Sequence, residues 1–284
     1  MRYRFIREEK ANYPVIVLCR VLEISRSAFY AWQNRKPRIE EVLLMWHVLR
    51  VFSQSRKTYG ARRISRKLKS EGIAIGRTRA GTLMKKAEIE ARGKRKFRHT
   101  TDSNHTHRVS PNLLAREFDI RETDRVWCAD ITFLWTSEGW MYLAVVIDLG
   151  SRKIVGWSLS KRMKKQLVIN ALRAAFLARR PRTGLIFHSD RGSQYASNEF
   201  RSLLRRYGMT QSMSRKGDCW DNAVVESFFK SLKTEQTNHR FYETRAELRR
   251  DIFDYIEMFY NRERLHSTLG YRSPAAFEEK AYRD

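Results

Sequence analysis

Cysteine is scarce in this chain: three residues in 284, Cys19, Cys128 and Cys219, odd in number and far apart. That excludes a disulfide framework and a CxxC zinc pair, so reduced thiols are expected. Long apolar runs are missing too. The longest, Met141 to Ile147, is far too short to cross a bilayer. The opening Met1-Arg-Tyr-Arg-Phe-Ile-Arg-Glu-Glu-Lys has neither the apolar core nor the cleavage site of a signal peptide. No membrane association and a cytoplasmic location are expected. No repeat of solenoid length occurs. Acidic residues are the other shortage: 57 Lys+Arg stand against 31 Asp+Glu, a net charge of +26. With 42% hydrophobic residues the chain can build a real core. A field that positive then points to the phosphate backbone of nucleic acid as partner.

The charge is concentrated at the front. Residues 1–110 hold 27 basic and 9 acidic residues, a net +18, whereas residues 111–284 hold 30 and 22, a net +8. In a first segment, 1–54, Val15, Val17, Leu18, Val21 and Leu22 form an apolar stripe. Glu23-Ile24 breaks it, and Ser25 is an N-cap candidate before the helix from Arg26 to Trp32, a helix-turn-helix-like pattern. A second segment, 55–90, sets Ile64 and Leu68 on one helical face and Arg62, Arg63, Arg66, Lys67 and Lys69 around the rest. Gly72 ends that helix, and another runs from Arg77 to Ala87 with Leu83 and Met84 inward. A small helical domain with solvated charged faces is the plain alternative. Five basic and no acidic residues from Ala61 to Ser70 argue for DNA instead. Arg26, Arg62, Arg63, Arg66, Lys67 and Arg77 are the candidate contacts. Residues 91–111, with Phe97 and Val109 their only large apolar side chains and many polar and basic ones, read as a linker, and the basic linker is taken to span 91–120.

After the linker the period becomes that of strands. Val126–Trp135, Trp140–Leu149 and Lys153–Ser160 are β-rich, with turn residues Thr136 to Gly139 between the first two. Helix at 163–179, strand at 184–187, helix at 197–207, strand at 209–213 and helix at about 222–233 follow. Three antiparallel strands and then alternating helix and strand predict an α/β fold with a mixed five-stranded sheet and flanking helices over 121–240. Residues 241–284 form a helical extension, in which Phe253, Tyr255, Phe259 and Tyr260 read as a packing face.

Three acids stand out. Asp130 lies mid-strand in an apolar run, where an unpaired carboxylate is costly. A buried salt bridge or a protonated carboxyl would explain it, and so would a metal ion. Asp190 closes Leu185-Ile-Phe-His-Ser-Asp190 at a strand end, where α/β sites tend to lie; an Asx turn or helix cap is the plain alternative. Glu226 shares a helix face with Lys230 and Lys233, so an exposed ion pair would account for it equally.

Taken together, the surrounding motifs resemble the DDE transposase and retroviral integrase superfamily. Within it the chain is similar to second-reading-frame products of two-frame bacterial insertion sequences of the IS3 type. Thirty-five residues separate Asp190 from Glu226. The resemblance runs through Trp127-Cys-Ala-Asp130-Ile-Thr132, Asp148-Leu-Gly-Ser-Arg-Lys-Ile-Val-Gly-Trp157, His188-Ser-Asp190-Arg-Gly-Ser-Gln-Tyr195 and Asp221-Asn-Ala-Val-Val-Glu226. It continues in Tyr260-Asn-Arg-Glu-Arg-Leu-His266-Ser-Thr-Leu-Gly-Tyr-Arg-Ser-Pro274 and includes Tyr59-Gly-Ala-Arg-Arg-Ile64, so it covers nearly the whole chain.

The resemblance implies an RNase H-like catalytic core in which Asp130, Asp190 and Glu226 are both catalytic residues and metal ligands. They would hold two Mg²⁺ or Mn²⁺ ions, hard cations suited to oxygen ligands and to in-line phosphoryl displacement. It implies cleavage at the element's terminal inverted repeats and joining of the freed 3′-hydroxyls to target DNA, with Lys230 and Lys233 holding the DNA end. Joining two ends implies at least a dimer on DNA, and the family's frameshifted fusions imply an upstream-frame protein as partner. Two rivals remain: an RNase H-like structure-selective nuclease, and a DNA-binding regulatory subunit that does not cut. Asp148 and Asp218 read as turn residues, and His188 as a packing or supporting residue. Tyr195 and Trp220 are either core aromatics or bases' stacking partners. His105-x-His107 lacks a cysteine pair, so the zinc domain of retroviral integrases is not expected.

Overall fold

A computed structural model describes residues 2–34, 39–92, 110–215 and 219–281, with the side chains of Cys219 and Trp220 outside that description. The expectations for linker residues 93–109, including His105 and His107, and for Asp218 and Trp220 fall outside it as well.

The front of the chain is helical: α1 (Arg2–Glu9), α2 (Val15–Val21), α3 (Arg26–Gln33), α4 (Ile39–Gln54), α5 (Ala61–Ser70) and α6 (Arg77–Lys86). Ser25 does cap α3, its hydroxyl accepting the Ala28 N–H at 3.1 Å. The apolar stripe of α2 is only partly buried. Leu18 and Cys19 join Ile6 and Phe29 in a small core, while Val17 and Val21 face out. The reason is size: three short helices offer too little surface to cover both sides of α2. Helix α4 sides with the second segment, because Val48, Val51 and Phe52 pack in one cluster with Ile64, Leu68, Leu83 and Met84. Helix α5 buries Ile64 and Leu68, and Gly72 beyond it adopts the left-handed φ of +84° that glycine tolerates best.

The sheet follows: β1 (Val126–Thr136), β2 (Gly139–Asp148), β3 (Ile154–Ser160), then α7 (Lys165–Arg179), β4 (Ile186–Ser189), α8 (Ser193–Ala196), α9 (Asn198–Arg206) and β5 (Thr210–Met213). Its order is β3-β2-β1-β4-β5, antiparallel on the β3 side of β1 and parallel from β1 to β5. This is the expected mixed five-stranded sheet. Strand β4 begins two residues later than predicted, because Gly184 forms a turn at φ +93° and donates its N–H to the Gly208 carbonyl.

Helix α10 (Ala223–Glu235), α11 (Arg245–Phe253) and α12 (Pro274–Ala281) complete the chain. A π-helical stretch, Asp254–Tyr260, extends α11. Its wider turn aligns residues five apart, so Tyr255 and Tyr260 are both buried, whereas Phe253 is exposed. The packing face predicted for the tail therefore holds for three of its four aromatics.

The alternation read from β1 sorts the core. Val126, Cys128 and Leu134 face α10, α11 and the tail, while Trp127 and Ala129 face α7 and α9. Helix α7 lies so close to β3 that a Cβ on Gly156 would meet the Ala171 carbonyl at 2.4 Å and the Ala175 nitrogen at 2.5 Å. The tail and α4–α6 belong to the same cluster as the sheet, so the front helices from α4 on are built onto the core.

Candidate active site

The β1–β4 pairing ends at Ala129 opposite Ser189. The next residue on each strand is an acid, which brings Asp130 and Asp190 to the same corner of the sheet, one strand spacing apart. Each is half-buried. Asp130 Oδ1 accepts the Ile131 N–H at 2.7 Å, and Asp190 Oδ1 accepts the Gly192 N–H at 3.0 Å, so the Asx turn expected as the plain alternative at Asp190 is present.

Helix α10 is tied to this corner at its start. Asn222 donates Nδ2–H to the Ala129 carbonyl at 3.1 Å. Asp221, buried, accepts from Asn112, Arg116 and the backbone and side chain of Arg215, and these donors hold its carboxyl far below the usual range. Sequence reasoning quoted Asp221 in a motif without giving it this role. The anchoring places Glu226, half-buried one turn into α10, in the electrostatic neighbourhood of Asp130. Burial first, then the charge of Asp190 and further that of Glu226, hold the Asp130 carboxyl well above its ordinary value, while the Ile131 N–H and Lys233 pull the other way.

The two lysines differ. Lys230 is exposed. Lys233 is buried, with Nζ 4.9 Å over the Phe133 ring; burial pulls its ammonium down to about 8 while Asp130 opposes that. Tyr195 is a core residue and not a base platform. It is 1% exposed and its ring packs edge-on against Phe200, and its hydroxyl, near Asp130 and Asp190, has no hydrogen-bond partner among the described residues. His188 is fully buried, with Nδ1 and Nε2 on the hydroxyls of Ser212 and Ser214, which gives it a packing role. Asp148 is structural: it accepts the Asp124 N–H and both the N–H and hydroxyl of Ser151.

Among the front basic residues, Arg26, Arg62 and Arg77 face solvent. Arg66 stacks over Tyr271 at 5.0 Å, and Lys67 pairs with Glu71 at 3.2 Å. Arg63, also a candidate contact, is placed differently from these. It turns inward, 3.5 Å from Glu235 and over the Tyr59 ring, because α5 packs that side onto the core.

Asp130, Asp190 and Glu226 offer oxygen groups only, the chemistry that suits a hard divalent cation. Among the described residues no three His, Cys, Asp or Glu already close into a metal cage. The acids thus share an electrostatic corner without being a preassembled ligand shell.

A mixed sheet of this order, carrying one acid within its central strand, one just after the adjoining strand and one on the following helix, is an integrase-type RNase H-like core, here behind basic helices. The comparisons agree. Two Integrase core domain families match residues 121–219 and 226–282, and an HTH-like domain family matches residues 38–97. The Insertion element IS600 uncharacterized 31 kDa protein of Shigella sonnei is 44% identical over 93% of this chain and 98% of its own length. Transposase InsF for insertion sequence IS3A of Escherichia coli K12 is 40% identical over 99% of both chains. The HTLV-2 integrase catalytic core domain, solved in complex with magnesium, aligns at 16% identity and a TM-score of 0.42 over 54% of this chain and 95% of that one. The chain belongs to the IS3 family of insertion-sequence transposases. It acts on DNA, and no described helix is long and apolar enough to cross a membrane.

Proposed function

We propose that this transposase cuts and joins DNA at Asp130, Asp190 and Glu226, which would together hold two magnesium ions, or manganese in their place. The observation that supports this best is the raised Asp130 carboxyl, set in one corner with two other acids. Such a group is unfavourable until positive charge joins it. Magnesium bound there would supply Lewis acidity and neutralise charge on the phosphate.

The chain's own residues do the positioning. The middle of β1, where its pairing with β4 ends, and the residue after β4 fix Asp130 and Asp190, and Asn222 docks the helix that carries Glu226. Lys233 keeps positive charge over Phe133 of the central strand, and Lys230 is exposed for a DNA phosphate one turn from Glu226. Water attacks phosphorus at the element end as the bond to the 3′-oxygen breaks, leaving a 3′-hydroxyl. That hydroxyl then attacks a target phosphodiester and displaces its 3′-oxygen. Arg26, Arg62, Arg66, Lys67 and Arg77 would grip the terminal inverted repeats. Two ends require at least two protomers, and the upstream-frame protein is the natural fusion partner.

The test incubates the full chain with a labelled duplex of its own element end and Mg²⁺, beside Asp130→Asn and Glu226→Gln. Nicking and joining by wild type, lost in both variants with binding kept, is expected. Nicking without joining would favour the structure-selective nuclease. Binding without cutting by wild type, with cutting restored in the fused product, would assign this chain alone a regulatory role.

A further inference from the structure

Beside Glu226, on the adjoining face of α10, a cavity of about 470 Å³ opens between α10, α5 and the tail. Arg63, Arg92, Arg152, Lys230 and Arg264 line it, with Glu235 as the one carboxylate among the described lining residues. That carboxylate is already engaged. Both its oxygens accept from Arg264, at 2.7 and 2.8 Å, and Tyr255 donates to it at 2.8 Å. Arg63 stands 3.5 Å from the same carboxylate, so Arg92, Arg152 and Lys230 have no carboxylate of their own among the described lining residues. His266 records the convergence of cations: burial, then the charges of Arg264, Arg63 and Arg152, hold its imidazole well below the usual range, so it adds no charge. Hydroxyls complete the wall, from Ser227, Ser231, Thr234, Ser267 and Thr268. Guanidinium forks and hydroxyls with almost no acceptor make a donor set for phosphate oxygens.

We infer that this cavity is a phosphate-oxyanion site and that its occupant is a phosphodiester of bound DNA. The inference rests on the transposase reading of the chain and is independent of the assignment of the three acids. Ser227 follows Glu226 in sequence, so the cavity wall begins one residue along α10 from the acid corner. Arg63 on α5 and Arg92, whose guanidinium donates to the Glu235 carbonyl, bring the HTH-like segment into the same contact. Seating DNA in the cavity would thus fix the front helices against the catalytic core.

The experiment uses the full chain and two variants, Arg152→Gln and, at the exposed rim, Thr268→Glu. Element-end binding is measured against NaCl concentration, and melting is followed with and without inorganic phosphate. Arg152→Gln is expected to lower the slope of log affinity against log salt by about one, and Thr268→Glu to weaken binding about tenfold. Phosphate is expected to raise the melting temperature of wild type and of neither variant. Thr268→Glu lies at the surface and keeps the test valid if Arg152→Gln fails to fold. Unchanged salt slope, affinity and phosphate response in a folded variant would overturn the site. A lost phosphate response with unchanged DNA binding would overturn the DNA occupant in favour of a small phosphate compound. Asp130→Asn run alongside separates the two readings, since loss of cutting with normal salt dependence touches only the acids.

Discussion

Arg264 holds Glu235 through two parallel hydrogen bonds, Nε to Oε2 at 2.8 Å and Nη2 to Oε1 at 2.7 Å, with both side chains buried. The pair joins the tail to the end of α10, and Arg63 of α5 stands 3.5 Å away on the same carboxylate. Removing one partner strands a buried charge. Arg264→Ala is expected to lower unfolding stability by about 3–5 kcal/mol, read from urea denaturation. Arg264→Lys should recover little of it, because an ammonium cannot reproduce the two-pronged contact.

Acid should loosen the same regions. Burial would raise the Glu235 carboxyl, but the charge and hydrogen bonds of Arg264 outweigh it and leave it below 4.5. Glu278 on α12 is likewise lowered: burial is outweighed by its bond from Lys153 at 2.7 Å and the charge of Arg179. A depressed carboxylate contributes stability above its unfolded value that is lost as pH falls through its folded one. Stability is therefore expected to drop below about pH 4.5. Glu278→Gln should flatten that drop, as followed by urea midpoints between pH 6 and 3.

Much of this was legible in the chain. The period-two run around Asp130, the turn before Gly139 and the spacing of the acids gave the sheet and its acidic corner, because strands and turns obey local rules. What escaped notice was non-local. Glu235, Arg152 and Arg264 look like ordinary surface charges in sequence, and only the folding of the tail against α10 and α5 turns them inward. The inward turn of Arg63 escaped notice for the same reason: the sequence showed an apolar face at Ile64 and Leu68 but not that Glu235 lies beside it. Tyr195 could equally have been core or platform, and its burial against Phe200 decides for core.

Gly156 marks the closest approach of helix and sheet. A methyl group there would lie 2.4 Å from the Ala171 carbonyl and 2.5 Å from the Ala175 nitrogen, both backbone atoms that cannot swing aside. Gly156→Ala is expected to push α7 off β3 and cost about 1–3 kcal/mol, measured by thermal or urea unfolding. Ala175→Gly, which removes a third contact at 2.7 Å, should not rescue it, because the backbone clashes remain.

The acid corner makes an expectation opposite in sign. Asp130 is held by burial and by the charges of Asp190 and Glu226 in a state that resists ionisation, so the metal-free protein carries repulsion there. Asp130→Asn removes the group whose ionised form is penalised by burial and by two neighbouring acids, with little change of shape. It is expected to raise the melting temperature of the metal-free chain by a few degrees, since a stabilisation of about 1 kcal/mol moves a chain of this size by roughly 2–4 °C. Added Mg²⁺ should then stabilise wild type, because a ligand that binds only the folded state shifts the equilibrium toward it. The variant should gain much less, having lost a ligand. Melting curves with and without Mg²⁺ read both effects at once. A variant less stable than wild type without metal would mean that Asp130 is held by a structural partner, and equal gains with Mg²⁺ would remove it from the metal-binding set.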